Sequence, residues 1–203
     1  MRILRCADTG LLVELDSLAA VHGLAWRLRE QQLKGVLGIV PAARTLLLHL
    51  EPTVADVARL EHIVRTTSTR PPQQEDQPLV HVPVSYNGRD LADVAAMTRL
   101  REREVVAEHT GTDWTVSFGG FAPGFGYLSG GSRKLQVPRR QEARTTVPAG
   151  AVALAGGYSG VYPRSSPGGW QLIGHTDREV WRTDRDPPAL LRPGVRVRFE
   201  VVD

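Results

Sequence analysis

Two arginines and a histidine in the second half of the chain could bind and act on a small anion. Arg139 and Arg144 lie in a segment punctuated by prolines, residues 137–148, and a guanidinium group can bind a carboxylate or phosphate through two parallel hydrogen bonds. His175 follows a predicted strand and could transfer protons near neutral pH. A surface ion pair, for example with Glu142, is the alternative for either arginine.

Two segments that combine glycine with aromatic residues predict one composite site. Residues 119–130 read GGFAPGFGYLSG, and residues 156–170 read GGYSGVYPRSSPGGW. Glycine permits unusual backbone angles and close approach, proline fixes φ, and disordered linkers are poor in aromatic residues. The alternative is a tight corner of a β-barrel that aromatic side chains plug. Ser165 and Ser166 could likewise bind an anion or simply form a turn.

Several functional classes find no support in the sequence. It contains no GxxxxGK[ST] loop, no GxSxG motif around Ser159 and no HExxH pair, so a complete active site of a common type is not expected. Cys6 is the only cysteine, which excludes an intramolecular disulfide and a cysteine-based zinc site, and we predict no metal. The net charge is +3 with basic residues scattered among acids, which argues against nucleic acid as a partner. No apolar run approaches the roughly 20 residues of a membrane span, so we predict a cytoplasmic protein without membrane contact.

The pattern of turns and apolar residues predicts two domains. Residues 1–70 predict two strands, a helix that begins after Ser17, two more strands and a second helix, which is typical of a small α+β domain. Residues 71–78, PPQQEDQP, predict a proline-rich linker. Residues 79–203 alternate short apolar strands with Gly/Pro turns, which predicts a β-barrel or sandwich.

Some local predictions in the second domain bear on the site. Asp90 is predicted to cap a short helix. His109, at the end of the next helix, is predicted to interact with the helix dipole or to act as an acid or base. The predicted strands are Leu79–Val84, Thr112–Phe118, Thr145–Val147, Ala151–Ala155, Gln171–Ile173, Val180–Arg182 and Val195–Val201.

These motifs resemble a known family, that of the 5-oxoprolinase B subunit, allophanate hydrolase subunit 1 and KipI, which carries the carboxyltransferase domain, subdomain C and D. The resemblance rests on residues 121–128 (FAPGFGYL), 138–140 (PRR), 147–152 (VPAGAV) and 162–176 (YPRSSPGGWQLIGHT). It implies an α+β N-terminal domain followed by a cyclophilin-like β-barrel domain. It also implies an ATP-dependent hydrolase, with ATP as co-substrate, that opens the lactam of 5-oxoproline to glutamate.

The resemblance further implies partners and a shared site. A partner of the C-subunit type and a third protein of the A-subunit type would complete the enzyme, and we expect the isolated chain to be inactive. A small anionic lactam or amide would be held by Arg139, Arg144 and His175. The residues expected to contact this substrate are Phe121, Pro123, Gly124, Phe125, Tyr127, Tyr162, Ser166, Gly168, Gly169 and Trp170.

Three other functions remain open at this point. A KipI-like protein would inhibit a sensor histidine kinase and need neither substrate nor ATP. An allophanate- or urea-type amidohydrolase or carboxylase would use a related complex on a different amide. A proline isomerase is suggested only by analogy with the cyclophilin-like barrel, and fold does not determine function.

Overall fold

The structure is a computed structural model that describes residues 1–71 and 77–202. The chain divides into two compact units, Met1–Glu75 and Asp76–Asp203. Most of the predicted linker, residues 72–76, lies outside the described residues. None of the helices in the described residues is long and apolar enough to cross a membrane.

The first unit packs two helices on an antiparallel sheet. Its described elements are β1 (Arg2–Cys6), β2 (Gly10–Glu14), α1 (Leu18–Glu30), β3 (Val36–Pro41), β4 (Thr45–Leu50) and α2 (Val57–Thr66), and the sheet order is β1-β2-β4-β3. The hydroxyl of Ser17 accepts a hydrogen bond from the Ala20 N–H and so begins α1 where the sequence predicts it. Alternate residues of β2 and β4 point to one face of the sheet, where Leu11, Leu46 and Leu48 are fully buried with residues of both helices.

The second unit is a mixed α/β structure built on one strongly curved sheet. Its described elements are β5 (Leu79–Val84), α3 (Leu91–Thr98), α4 (Glu102–Thr110), β6 (Trp114–Gly119), β7 (Gly126–Ser129), a 3₁₀ helix (Arg133–Leu135), β8 (Arg144–Val147), β9 (Ala151–Ala155), β10 (Tyr158–Val161), β11 (Ser166–Gly168), β12 (Gln171–His175) and β13 (Arg196–Val201). Seven strands follow the order β12-β9-β10-β7-β6-β13-β5, and β8 pairs with β11 separately. The predicted strand Val180–Arg182 is wrong, because only an isolated bridge joins Trp181 to Ala189 there.

The two end strands of the seven-stranded sheet approach each other and nearly close it into a barrel. The N–H of Ser85, just after β5, donates to the carbonyl of His175 at 2.8 Å, and the His175 N–H donates back to the Ser85 carbonyl at 2.9 Å. Beyond Ser85 the chain runs beside β12, where the Gly88 N–H donates to the Ile173 carbonyl. A Cβ at Gly88 would lie 2.3 Å from the Ile173 carbonyl carbon, so only glycine permits this approach.

A buried polar trio lies among the apolar side chains of the barrel. The imidazole of His109, 0% exposed, forms hydrogen bonds with the Tyr86 hydroxyl at Nδ1 (2.7 Å) and with the Ser159 hydroxyl at Nε2 (2.8 Å). Its ring stacks on Phe199 at 4.3 Å. Burial lowers the pKa of His109 to about 3, because a protonated ring at this site would carry its charge out of contact with water. The predicted dipole interaction is therefore wrong, since a neutral ring bonded to two hydroxyls carries no charge to offer the helix terminus.

Candidate functional site

The two glycine- and aromatic-rich segments meet in space, as the sequence predicts. The rings of Phe125 and Trp170 lie 5.4 Å apart, and those of Phe125 and Tyr162 also lie 5.4 Å apart, all edge to face. Tyr127 adds an edge-to-face contact with Trp170 at 5.5 Å. Such pairs stabilise a fold beyond the area they bury. Phe125, Tyr162 and Trp170 are 3%, 2% and 5% exposed, so these side chains pack on one another. Together with Tyr127 and Phe121 they are here called the aromatic cluster.

Phe121 differs from the rest of the aromatic cluster. It is 58% exposed and has a φ of 65°, which is uncommon for a bulky residue and carries backbone strain. Its ring still contacts Phe125 and Tyr162 edge to face. Pro123, exposed, and Gly124 follow in the same turn, and Gly124 has a φ of 83° with the Trp181 side chain against its Cα. The turn thus holds one aromatic ring out in solvent.

Four more residues of the predicted site lie on β11, beside it, or near Tyr162. Gly168 lies against this hydroxyl, and the carbonyl of Gly169 accepts a hydrogen bond from the Arg140 N–H. Burial raises the pKa of Tyr162, and the Trp170 backbone N–H and the nearby charge of Arg139 partly oppose that shift. Ser166, on β11, buries a hydroxyl oxygen that has no hydrogen-bond partner among the described residues. Arg139 is exposed, and no carboxylate of the described residues lies within 4.0 Å of it.

Arg144 is held by a buried carboxylate from another part of the unit. Its Nη1 donates to Asp90 Oδ2 at 2.9 Å and its Nη2 donates to Asp90 Oδ1 at 2.6 Å. Arg140 Nη1 also donates to Asp90 Oδ1 at 2.9 Å, and the Leu172 N–H donates to Asp90 Oδ2 at 2.7 Å. Asp90 is 1% exposed, so this network satisfies a charge that would otherwise be costly to bury. The ion pair considered for Arg144 therefore exists, but with Asp90 instead of Glu142.

Asp90 does occupy the predicted position before a short helix, but its side chain does not cap that helix. It makes no hydrogen bond to the backbone of the first turn of α3. The carboxylate is directed instead to the two guanidinium groups and to β12. The residue joins the start of α3, the segment that carries both arginines, and the barrel sheet.

A cleft of about 470 Å³ opens beside this network. Its volume lies within the range of small-molecule sites. It is lined by Asn87, Gly88, Arg89, Arg144, Thr146, Pro148, Ala151, Leu172, Gly174 and His175. Ala151 and Leu172 also pack against the aromatic cluster, so the two features share part of one wall.

His175 lies at the end of β12 and lines the cleft. Its Nε2 lies 3.1 Å from Asp177 Oδ1, an arrangement in which a carboxylate orients an imidazole. The backbone of His175 is fixed by the paired hydrogen bonds with Ser85. The backbone of His175 is therefore held in place where the residue borders the cleft.

The structure thus brings together two of the three predicted polar residues, Arg144 and His175, in one cleft. Arg139 lies instead near Tyr162. Sequence reasoning missed Asn87, Gly88 and Arg89, which line the same cleft. The available signal was a glycine followed by an arginine in a loop before a helix, but nothing local indicated that the loop runs beside β12.

A family model described as "Carboxyltransferase domain, subdomain C and D" matches residues 1–191. The chain belongs to this family. Among curated members, the B subunit of 5-oxoprolinase from Escherichia coli O157:H7 is 37% identical over 211 residues, which cover 98% of this chain and 96% of that protein. The match extends over nearly the whole of both chains.

Solved structures extend the likeness to the fold. The crystal structure of TTHA0988 matches with a TM-score of 0.80 and 34% identity over 96% of this chain. This chain spans only 40% of the TTHA0988 chain. The urea amidolyase of K. lactis matches with a TM-score of 0.75 and 18% identity, over 98% of this chain and 15% of that enzyme. At that identity the match shows the fold alone, a mixed α/β structure with a barrel-like sheet.

Proposed function

We propose that this chain is the B subunit of an ATP-dependent 5-oxoprolinase, the complex that opens the lactam of 5-oxoproline to glutamate. The observation that carries the proposal is the 37% identity, over 98% of the chain, to a protein named as the B subunit of 5-oxoprolinase. The cleft adds physical support, because it presents guanidinium groups and a histidine to a small molecule. A substrate with one carboxylate and one amide suits such a lining.

The reaction defines what the complex must supply. The oxygen of water bonds to the lactam carbonyl carbon, the ring C–N bond breaks, and the released nitrogen takes a proton, which produces glutamate. Amide resonance makes this step slow, so the complex couples it to ATP hydrolysis. We assign no nucleotide site to the described residues, and the sequence contains no phosphate-binding GxxxxGK[ST] loop.

The predicted polar residues serve this site in different ways in our proposal. His175, oriented by Asp177, is the group able to move a proton at the cleft. Arg144 holds the wall of the cleft through its two hydrogen bonds to Asp90. Arg139, exposed and without a carboxylate within 4.0 Å among the described residues, is free to meet an anionic group.

The site is shared, in our proposal, with a partner of the C-subunit type and a third protein of the A-subunit type. The name of the curated relative supports this, because a B subunit implies other subunits in a complex. We also propose that residues 1–70 form an α+β domain, residues 71–78 a linker and residues 79–203 a cyclophilin-like barrel, and that the protein acts in the cytoplasm.

The decisive experiment measures 5-oxoproline-dependent ATP hydrolysis by the purified chain, by the chain with its C-subunit partner, and by the three proteins together. We expect activity in the full mixture only, and loss of that activity when this chain is omitted. Full activity without this chain, from partners shown to be folded, would refute the proposal. Copurification with a histidine kinase instead of the C-subunit partner would then favour the KipI-like alternative.

A further inference from the structure

We infer that Arg89 holds the carboxylate of the small cyclic amide that enters the cleft. The identity of this ligand rests on the proposed function, whereas the anion-binding character of the cleft rests on the residues themselves. Arg89 lines the cleft together with Arg144 and His175. It belongs neither to the aromatic segments nor to the arginine pair at 139 and 144.

Arg89 is the guanidinium of the cleft whose hydrogen-bonding capacity is still available. Arg144, the other arginine of the lining, directs both terminal nitrogens to Asp90. No carboxylate of the described residues lies within 4.0 Å of the Arg89 side chain, which is exposed. A free guanidinium fork at the edge of a cleft binds a carboxylate through two parallel bonds.

The surroundings of Arg89 leave an excess of positive charge. Arg140 and Arg144 share the single carboxylate of Asp90, so this group of three retains one positive charge, to which Arg89 adds a second. Asp177, the acid that pairs with His175 beside the cleft, is fully exposed, so water screens its charge. The balance remains positive even when Asp177 is counted in full and His175 is neutral, which favours the binding of an anion.

The backbone that carries Arg89 is fixed before any ligand arrives. The Gly88 N–H donates to the Ile173 carbonyl at 3.2 Å, and the Asp90 N–H donates to the Leu172 carbonyl at 2.9 Å. Arg89 lies between these two anchored residues. Only its side chain must be ordered when the ligand binds, which reduces the entropic cost of binding.

The remaining lining suits a compact ring. Pro148, Ala151 and Leu172 add apolar residues to the lining of the cleft. A cleft of about 470 Å³ accommodates a molecule of one ring with space to spare for water or a partner's side chain. The combination of a free guanidinium with an apolar wall selects a cyclic carboxylate over an uncharged amide.

The test titrates 5-oxoproline, and 2-pyrrolidinone as the analogue without a carboxylate, into the full chain alone and into the reconstituted complex. We expect Arg89→Gln to weaken 5-oxoproline binding about tenfold to a hundredfold, the range for a charge-assisted hydrogen-bonded pair, and Arg89→Lys to restore part of it. Binding of 2-pyrrolidinone should be the same in the wild type and in Arg89→Gln. In turnover, Arg89→Gln should raise KM for 5-oxoproline more than it lowers kcat.

Arg133→Gln is the matched control, because Arg133 is an exposed arginine of the same unit that does not line the cleft. Equal 5-oxoproline affinities in Arg89→Gln and Arg133→Gln, or no binding by the wild type in either preparation, would overturn the inference. Turnover that is normal in both variants would overturn it as well and leave the proposed function intact. Binding that depends on Arg89 without any turnover would refute the proposed function and support this inference.

Discussion

The aromatic cluster and the cleft lie side by side in the second unit, yet they are built in opposite ways. Phe125, Tyr162 and Trp170 fill their space with rings and are nearly inaccessible. The cleft is open and is lined by cationic, polar and apolar residues. The segments that are easiest to recognise in the sequence therefore provide packing. The charged groups beside them, Arg140 and Arg144, lie 50 and 54 positions along the chain from Asp90, which joins them.

The largest effect on stability is expected at Asp90, which holds together the charged groups beside the cleft. Asp90→Ala leaves two neighbouring guanidinium groups and the Leu172 N–H without their acceptor, and loss of one partner of a buried ion pair costs about 3–5 kcal/mol. Urea unfolding followed by tryptophan fluorescence measures this change in the free energy of unfolding. Asp93→Ala, an exposed acid of the same helix, is the control and should change it by less than about 0.5 kcal/mol. Equal stabilities of the two variants would contradict this account of Asp90.

A comparable or slightly smaller loss is expected on the aromatic side. Phe125→Ala removes a ring that contacts Phe121, Tyr127, Tyr162 and Trp170, and such truncations of buried aromatic residues cost about 3–5 kcal/mol. Phe125→Leu keeps most of the volume and should cost less than half as much in the same unfolding experiment. A cost below about 1 kcal/mol for Phe125→Ala would mean that the cluster is loosely packed.

The buried trio of the barrel predicts that the free energy of unfolding depends on pH. The expected change is smaller than the losses in Asp90→Ala and Phe125→Ala and larger than the change in Phe121→Ala. Because the folded-state pKa of His109 is lowered to about 3, the unfolded chain binds a proton below about pH 6.5 that the folded chain does not. The free energy of unfolding should therefore fall as the pH is lowered from about 6.5 to 4.5, by up to about 1.4 kcal/mol per pH unit. Stability measured across this range in the wild type and in His109→Gln should show a shallower slope in the variant.

An NMR titration gives an independent measure of the same property. The imidazole shifts of His109 should stay constant from about pH 7.5 to 4.5, since burial keeps the ring neutral. Titration of this ring within that range would show that it reaches water or an anion.

The smallest effect on stability is expected at the exposed member of the aromatic cluster. Phe121→Ala removes a side chain that is 58% exposed and leaves a smaller side chain in the left-handed backbone conformation. We expect the free energy of unfolding to change by less than about 1 kcal/mol. A loss as large as that of Phe125→Ala would show that the two rings form one rigid unit instead of a core and an exposed contact.

Local patterns were sufficient for much of the secondary structure. The predicted strands Leu79–Val84 and Ala151–Ala155 have the observed bounds, because alternating or continuous apolar residues between turns leave few other conformations. Val180–Arg182 has a similar pattern but forms only one bridge. A β-strand forms only where a neighbouring strand provides a continuous ladder of backbone hydrogen bonds. The pattern of three residues does not determine whether such a neighbour is present.

The sequence by itself determined the start of α1, because capping and apolar periodicity act over a few residues. Its motifs also carried the resemblance to the family and the expectation that the two aromatic segments meet. The tertiary structure alone decided which acid pairs with Arg144, why Asp90 is not a cap, and that His109 is neutral. It also decided that Arg89 faces an open cleft. These properties depend on how the barrel closes between Ser85 and His175, since burial and charge pairing are set by residues that are distant in the chain and adjacent in space.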